Sequence, residues 1–112
     1  MARAQDIFSG QTPVHSGSIL ILAGTTVLVP AVAGKTVYLV SSDAYVAAGD
    51  MTTYFNSSGG SELREYGPIA GSYSRVAGDA EIYICATPVG EGLNVLNAGG
   101  GIGRIQITYY QF

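Results

Sequence analysis

The side chains best suited to acid–base, nucleophilic or metal chemistry are few: one histidine, one cysteine and eight acidic residues. His15 lies in an irregular stretch broken by Gly10, Pro13 and Gly17. A catalytic histidine needs a nucleophile to activate, and no G-x-S-x-G turn is present. Gly71-Ser72-Tyr73-Ser74 lacks the second glycine. His15 therefore reads as a solvated or interface residue. Glycoside hydrolysis needs two carboxyl groups in a cleft that raises the pKa of one. Glu62 and Glu65 are close in sequence, and Asp79 and Glu81 would share a strand face. Asp79 reads better as a cap on the Gly78-Asp79 turn, and Glu81 as part of a solvated face. Asp43 and Asp50 lack the alternating acidic spacing of a calcium loop. A lone cysteine excludes an internal disulfide and any multi-cysteine metal site. Cys85 sits between Ile84 and Ala86 without local positive charge, so it reads as an inert core thiol. The run Gly99 to Gly103 fits neither dinucleotide nor P-loop spacing. It joins two strand-like runs and reads as a hairpin loop needing positive φ. These residues assign no catalytic, cofactor-binding or metal-binding role, and the chain is expected not to be an enzyme.

Short β-type runs surround these residues. Ile19–Leu22, Thr25–Val29, Thr36–Ser41 (extendable to Val46), Met51–Asn56, Glu62–Ile69, Ala80–Thr87, Gly92–Asn97 and Arg104–Phe112 read as strands, and Gly71–Val76 is ambiguous. Turn signals separate them. Period two is clearest near the C-terminus, where Ile105, Ile107 and Tyr109 oppose Arg104, Gln106, Thr108 and Tyr110. Ile82, Ile84 and Ala86 would likewise share a face. Sixteen glycines and four prolines disfavour helix, and no window carries a helical stripe. About eight short antiparallel strands in one domain predict an all-β fold, a single β-sandwich. Residues 18–112 form that domain, and residues 1–17 read as an extended N-terminal arm that orders only against something.

The composition points outward. Charged residues are 12% of the chain, about half the usual ~25%. Arg3, Lys35, Arg64, Arg75 and Arg104 are scattered singly, so phosphate backbones find no cationic cluster and nucleic acid is not an expected partner. The longest apolar stretch, Ile19 to Ala23, is far too short to span a bilayer, and the polar opening residues carry no secretory pattern. Synthesis in the cytoplasm and no membrane partner are expected. The eight tyrosines offer large amphipathic contact area at low entropic cost. Alternation turns Tyr38, Tyr54, Tyr66, Tyr73 and Tyr110 outward and leaves Tyr45, Tyr83 and Tyr109 unplaced. With Ile7, Phe8 and His15 of the arm, these five are the expected partner-binding residues. Phe8 in a polar arm is an exposed anchor unless something covers it. Deleting residues 1–14 is expected to weaken attachment and leave the sandwich folded.

The order of motifs resembles the small β-sandwich decoration, or cement, proteins of tailed-phage heads. The resemblance rests on Thr25-Thr26-Val27-Leu28-Val29-Pro30-Ala31-Val32-Ala33-Gly34-Lys35 with the strand Thr36–Ser41. Gly67-Pro68-Ile69 follows, then Gly90-Glu91-Gly92-Leu93-Asn94-Val95, and a Gly-rich turn into Gln106-Ile107-Thr108-Tyr109-Tyr110. It covers roughly residues 18–112. It implies a jelly-roll-like sandwich on the outer capsid surface of a virion. It also implies the major capsid protein as partner and clustering as a homo-oligomer, a dimer or trimer. The family has no catalytic residues to transfer. A carbohydrate- or receptor-binding module of a virion fibre is the alternative. A glycan hydrolase is a third reading, weakened by the missing acid pair.

Overall fold

The computed structural model describes residue 8 and residues 10–70, 73–77 and 83–112, with side chains described outside 64–70 and 73–77. Ten strands are described: β1 (Val14–His15), β2 (Ile19–Ile21), β3 (Gly24–Val29), β4 (Val37–Ala48), β5 (Asp50–Ser57), β6 (Glu62–Ala70), β7 (Tyr73–Ala77), β8 (Cys85–Ala86), β9 (Leu93–Asn97) and β10 (Ile102–Gln111). All pairings between them are antiparallel. Sheet A runs β1-β10-β4-β7, with β2 also on β10 and β8 also on β4; sheet B runs β3-β9-β5-β6. With the two-residue strands β1 and β8 set aside, the orders β2-β10-β4-β7 and β3-β9-β5-β6 are those of a jelly roll. The protein is an all-β single sandwich, as the periodicity predicts.

Period two builds the core. On β5, Met51, Thr53, Phe55 and Ser57 face inward, and on β9 Leu93, Val95 and Asn97 do so. They meet Val37, Leu39, Ala44 and Val46 of β4 and Ile105 and Ile107 of β10. Phe55 is wholly buried, worth about 2–3 kcal/mol relative to an exposed ring. Cys85 is buried with this core, as its apolar neighbours suggest. Asn97 closes one end of the sandwich. Its Oδ1 accepts from Gly99 N at 3.0 Å and Thr52 N at 3.3 Å, and its Nδ2 donates to Gly101 O at 2.9 Å. At the other end, Glu91 Oε1 accepts from Ser57 Oγ and Gly59 N, both at 2.8 Å, and so ties two turns together.

Three sequence expectations change. Ala80–Thr87 is not one long strand. Among its described residues, 83–87, only Cys85–Ala86 form a strand, paired with Leu39 and Tyr38, while Ile84 N donates to Leu39 O from outside any strand. Ile82 lies outside the described residues. The glycine run 99–101 is not a hairpin loop either, because β9 and β10 belong to different sheets. None of its glycines has positive φ. They are needed for close approach: a Cβ on Gly101 would come within 2.5 Å of Asp50 O, and one on Gly99 within 2.6 Å of the same atom. Lastly, the described part of the segment 1–17 lies on the sandwich itself. Val14 and His15 pair with Tyr109 and Thr108 of β10, and Phe8 is 5% exposed.

Candidate binding surface

The outer face of sheet A is a ladder of side chains facing away from the core. The rungs across β4 and β10 are Tyr38–Tyr110, Ser41–Thr108, Asp43–Gln106 and Tyr45–Arg104. A β-bulge sets this order. Leu39 pairs with Tyr109 and Ser41 with Thr108, so β4 takes two steps against one of β10 and Val40 is the extra residue. The bulge reverses the alternation. Val37 and Leu39 face the core before it, and Ser42, Ala44 and Val46 after it. Tyr38 and Tyr45, an odd number of residues apart, therefore both face outward.

The two ends of this face differ. At the first, Phe8 stacks on Tyr110, with centroids 4.1 Å apart and planes 11° apart. It meets Tyr38 edge-on at 5.3 Å and lies 6.0 Å from Phe112 and 6.2 Å from Tyr83. Tyr38 in turn stacks on Phe112 at 5.0 Å. These are favourable aromatic geometries. The far end carries no such cover in the described residues: Tyr45 is 45% exposed. Beyond it, Leu20 of β2, opposite Arg104, is 46% exposed; Leu22 is 51% and Ile102 40% exposed. The small residues Ala47 and Ala48 are exposed beside them.

Between the ends lies a shallow polar trench. One recess of about 110 Å³ is lined by residues that include Ser18, Asp43, Tyr45, Arg104 and Gln106. The next, of about 80 Å³, continues along His15, Ser41, Asp43, Gln106 and Thr108. Both fall well below the roughly 300–1,000 Å³ of enclosed small-molecule sites. The trench wall is the interrupted edge strand. Ser16 N donates to Ile107 O, and Ile107 N donates back to Ser16 Oγ, both at 2.9 Å. A hydrogen bond of 2.9 Å links His15 Nδ1 and Thr108 Oγ1, which holds the imidazole at the trench end.

The expected partner-binding residues separate accordingly. Phe8 is covered by its own domain and is not a free anchor; Tyr38 and Tyr110 are half-buried beneath it. Deleting residues 1–14 would remove that packing, so the expectation of an undisturbed sandwich is corrected. His15 is exposed on β1, at the trench. Tyr54 faces outward on sheet B, opposite Leu96, away from the others. Ile7 lies outside the described residues, as do the side chains of Tyr66 and Tyr73. Asp79 and Glu81 are also outside them, and Glu62 is exposed. Among the described residues, no three His, Cys, Asp or Glu side chains group as metal ligands. Nor, among them, is any helix long and apolar enough to cross a membrane. Sequence reasoning left Tyr45 unplaced because the bulge inverts its facing. The only sequence hint was the odd spacing between two tyrosines on one continuous strand.

No family model matches the chain, and no curated protein is significantly similar to it. Among solved structures there is a likeness to the capsular polysaccharide assembling protein CapF from Staphylococcus aureus. One structure is 18% identical with a TM-score of 0.39, covering 81% of this chain and 21% of that one. Another, in space group C2221, is 19% identical with a TM-score of 0.35, covering 83% and 23%. CapF with the inhibitor 3-isopropenyl-tropolone matches at 19% identity and a TM-score of 0.35, covering 83% and 22%. The chain thus spans under a quarter of the chains it is similar to. Likeness at this level carries nothing about what this chain does.

Proposed function

We propose that this protein is a virion structural protein, a decoration protein that bridges major capsid subunits on the outside of a phage head and stabilises it. One observation carries the reading: the cluster of exposed large apolar side chains Leu20, Leu22 and Ile102 at one corner of sheet A, each at least 40% exposed. Apolar surface grouped in this way on a charge-poor exterior favours a protein neighbour over water. A jelly roll standing on that corner seats the patch across a seam between shell subunits. Opening the shell then requires breaking the added contacts as well, which raises its stability by binding linkage. Dimers or trimers at capsomer junctions suit this role, since a stable bridge buries on the order of 1,000 Å² or more.

The test uses heads of the encoding phage stripped of the protein. Added protein should co-sediment with them and raise their melting temperature. The double variant Leu20→Glu/Ile102→Glu should fold and bind at least about 100-fold more weakly, given roughly 1.5–3 kcal/mol per buried aliphatic side chain. Heads that neither retain the protein nor change in melting temperature would overturn the reading.

A further inference from the structure

Among the described strands, every sheet edge but one carries a device against pairing. β6 holds Glu62, Arg64, Glu65 and Pro68, and β7 holds Arg75. β1, β2 and β8 are only two or three residues long. Charge, proline and brevity all blunt an edge. β3 has none of them. Gly24-Thr25-Thr26-Val27-Leu28-Val29 is uncharged, free of proline and mostly β-branched, and a bulge at Leu28 ends its regular run.

The same strand points bonding groups outward. Ser58 N donates to Gly92 O and Ala98 N to Thr52 O, so the even-numbered residues of this stretch turn their backbone groups to β5. Antiparallel strands alternate in this respect, so Val95 and Asn97 of β9 turn theirs to Thr26 and Gly24 of β3. Thr25 and Val27 are left with N–H and C=O on the open side of the sheet. Among the described residues nothing bonds them there. Their side chains are exposed on the outer face, Val27 at 59%.

We propose that β3 is a homodimer interface. Two copies pair β3 to β3, antiparallel about a two-fold axis at Thr26, and join their B sheets into one. The axis sets Thr25 of one copy against Val27 of the other, once on each side. Both residues point backbone groups outward, so each such pair exchanges two hydrogen bonds. The adjoining side chains are β-branched and uncharged, a favourable cross-strand combination that also covers part of Val27. A second copy suits this edge better than a foreign strand. The run holds no charge, so no register against itself opposes like charges. The symmetric pair also closes: both β3 edges are consumed and none is left to extend a fibre. This dimer goes beyond attachment to a shell and is measured without one.

The experiment is sedimentation equilibrium of the isolated full-length protein over a concentration series. The parent should dimerise with a Kd below about 100 µM, the range of a small interface. Thr25→Lys/Val27→Lys sets lysine against lysine on both sides of the axis and should weaken the dimer at least about tenfold. Thr25→Lys/Val27→Glu sets lysine against glutamate instead and should restore it to within about threefold of the parent. Val27→Pro removes an N–H that no bond inside the protomer uses, so it should abolish the dimer and leave the circular dichroism spectrum unchanged. A parent that stays monomeric throughout would leave the edge to a foreign strand and overturn the proposal. So would a lysine–lysine variant that dimerises like the parent, or a lysine–glutamate variant that restores nothing.

Discussion

Tyr38 and Tyr45 share one strand, one face and one pairing partner strand, yet their situations are opposite. Tyr38 is half-buried, packed against Phe112, Phe8 and Tyr83. Tyr45 lies 45% exposed beside Arg104. What separates them is not the strand. It is a residue near the N-terminus and another at the C-terminus, which fold over one end of the ladder and leave the other bare. Residue type and local alternation thus define which tyrosines can reach a partner. Distant chain segments decide which of them do.

The sharpest way to break the contrast is to insert an alanine between Ser41 and Ser42. Val40 already adds one residue to the regular alternation, and a second, taken up without a further bulge, would send Asp43 and Tyr45 into the core and Ala44 and Val46 out. Circular dichroism should show loss of a cooperative melt. An insertion that melts within a few degrees of the parent would mean that β4 absorbs the extra residue and that its register does not fix the facing. Next in size is Phe8→Ala. Burial of this ring against four aromatic neighbours predicts a loss of about 2–3 kcal/mol, somewhat below the 3–5 typical of a deep core phenylalanine. The melting temperature should fall by roughly 10 °C on the usual scaling for a domain of this size. A loss under about 0.5 kcal/mol in denaturant titration would show that the aromatic end stands without its cover.

A third substitution tests the open end. Gly103 faces inward beneath the Tyr45 rung, and a Cβ there would run into the Tyr45 carbonyl and approach the Met51 side chain. Gly103→Ala should cost about 1–3 kcal/mol in chemical denaturation. Full stability would mean that β4 and β10 are looser at this rung than the geometry describes. The smallest effect belongs to Tyr45→Ala. An exposed side chain off the core should change stability by no more than about 0.5 kcal/mol. A larger loss would assign Tyr45 to the structural cluster, and the two ends would no longer differ in kind.

Much of the architecture was legible because it rests on local patterns. The alternation over Ile105 to Tyr109 predicts the facing of β10, and that strand carries no extra residue. The same logic fails on β4, where one added residue reverses the alternation from Ser41 to Val46. It fails again at residues 80–87, where apolar content resembles a strand but, among the described residues, only Cys85 and Ala86 are in one. The glycine run 99–101 was legible as special but not for the right reason. Close approach to Asp50 depends on a neighbour nearly fifty residues away, and no local signal reports it.

The amino-acid sequence by itself determined an all-β chain with two-faced strands, few charges and no helix-forming stretch, since period, propensity and composition are local quantities. Only the tertiary structure decided the facing of Tyr45, the burial of Phe8 and the joining of His15, Gln106 and Arg104 into one trench. Each of those depends on which strands lie side by side and in what register. That is settled by packing between segments far apart in the chain, not by any one segment's own preference.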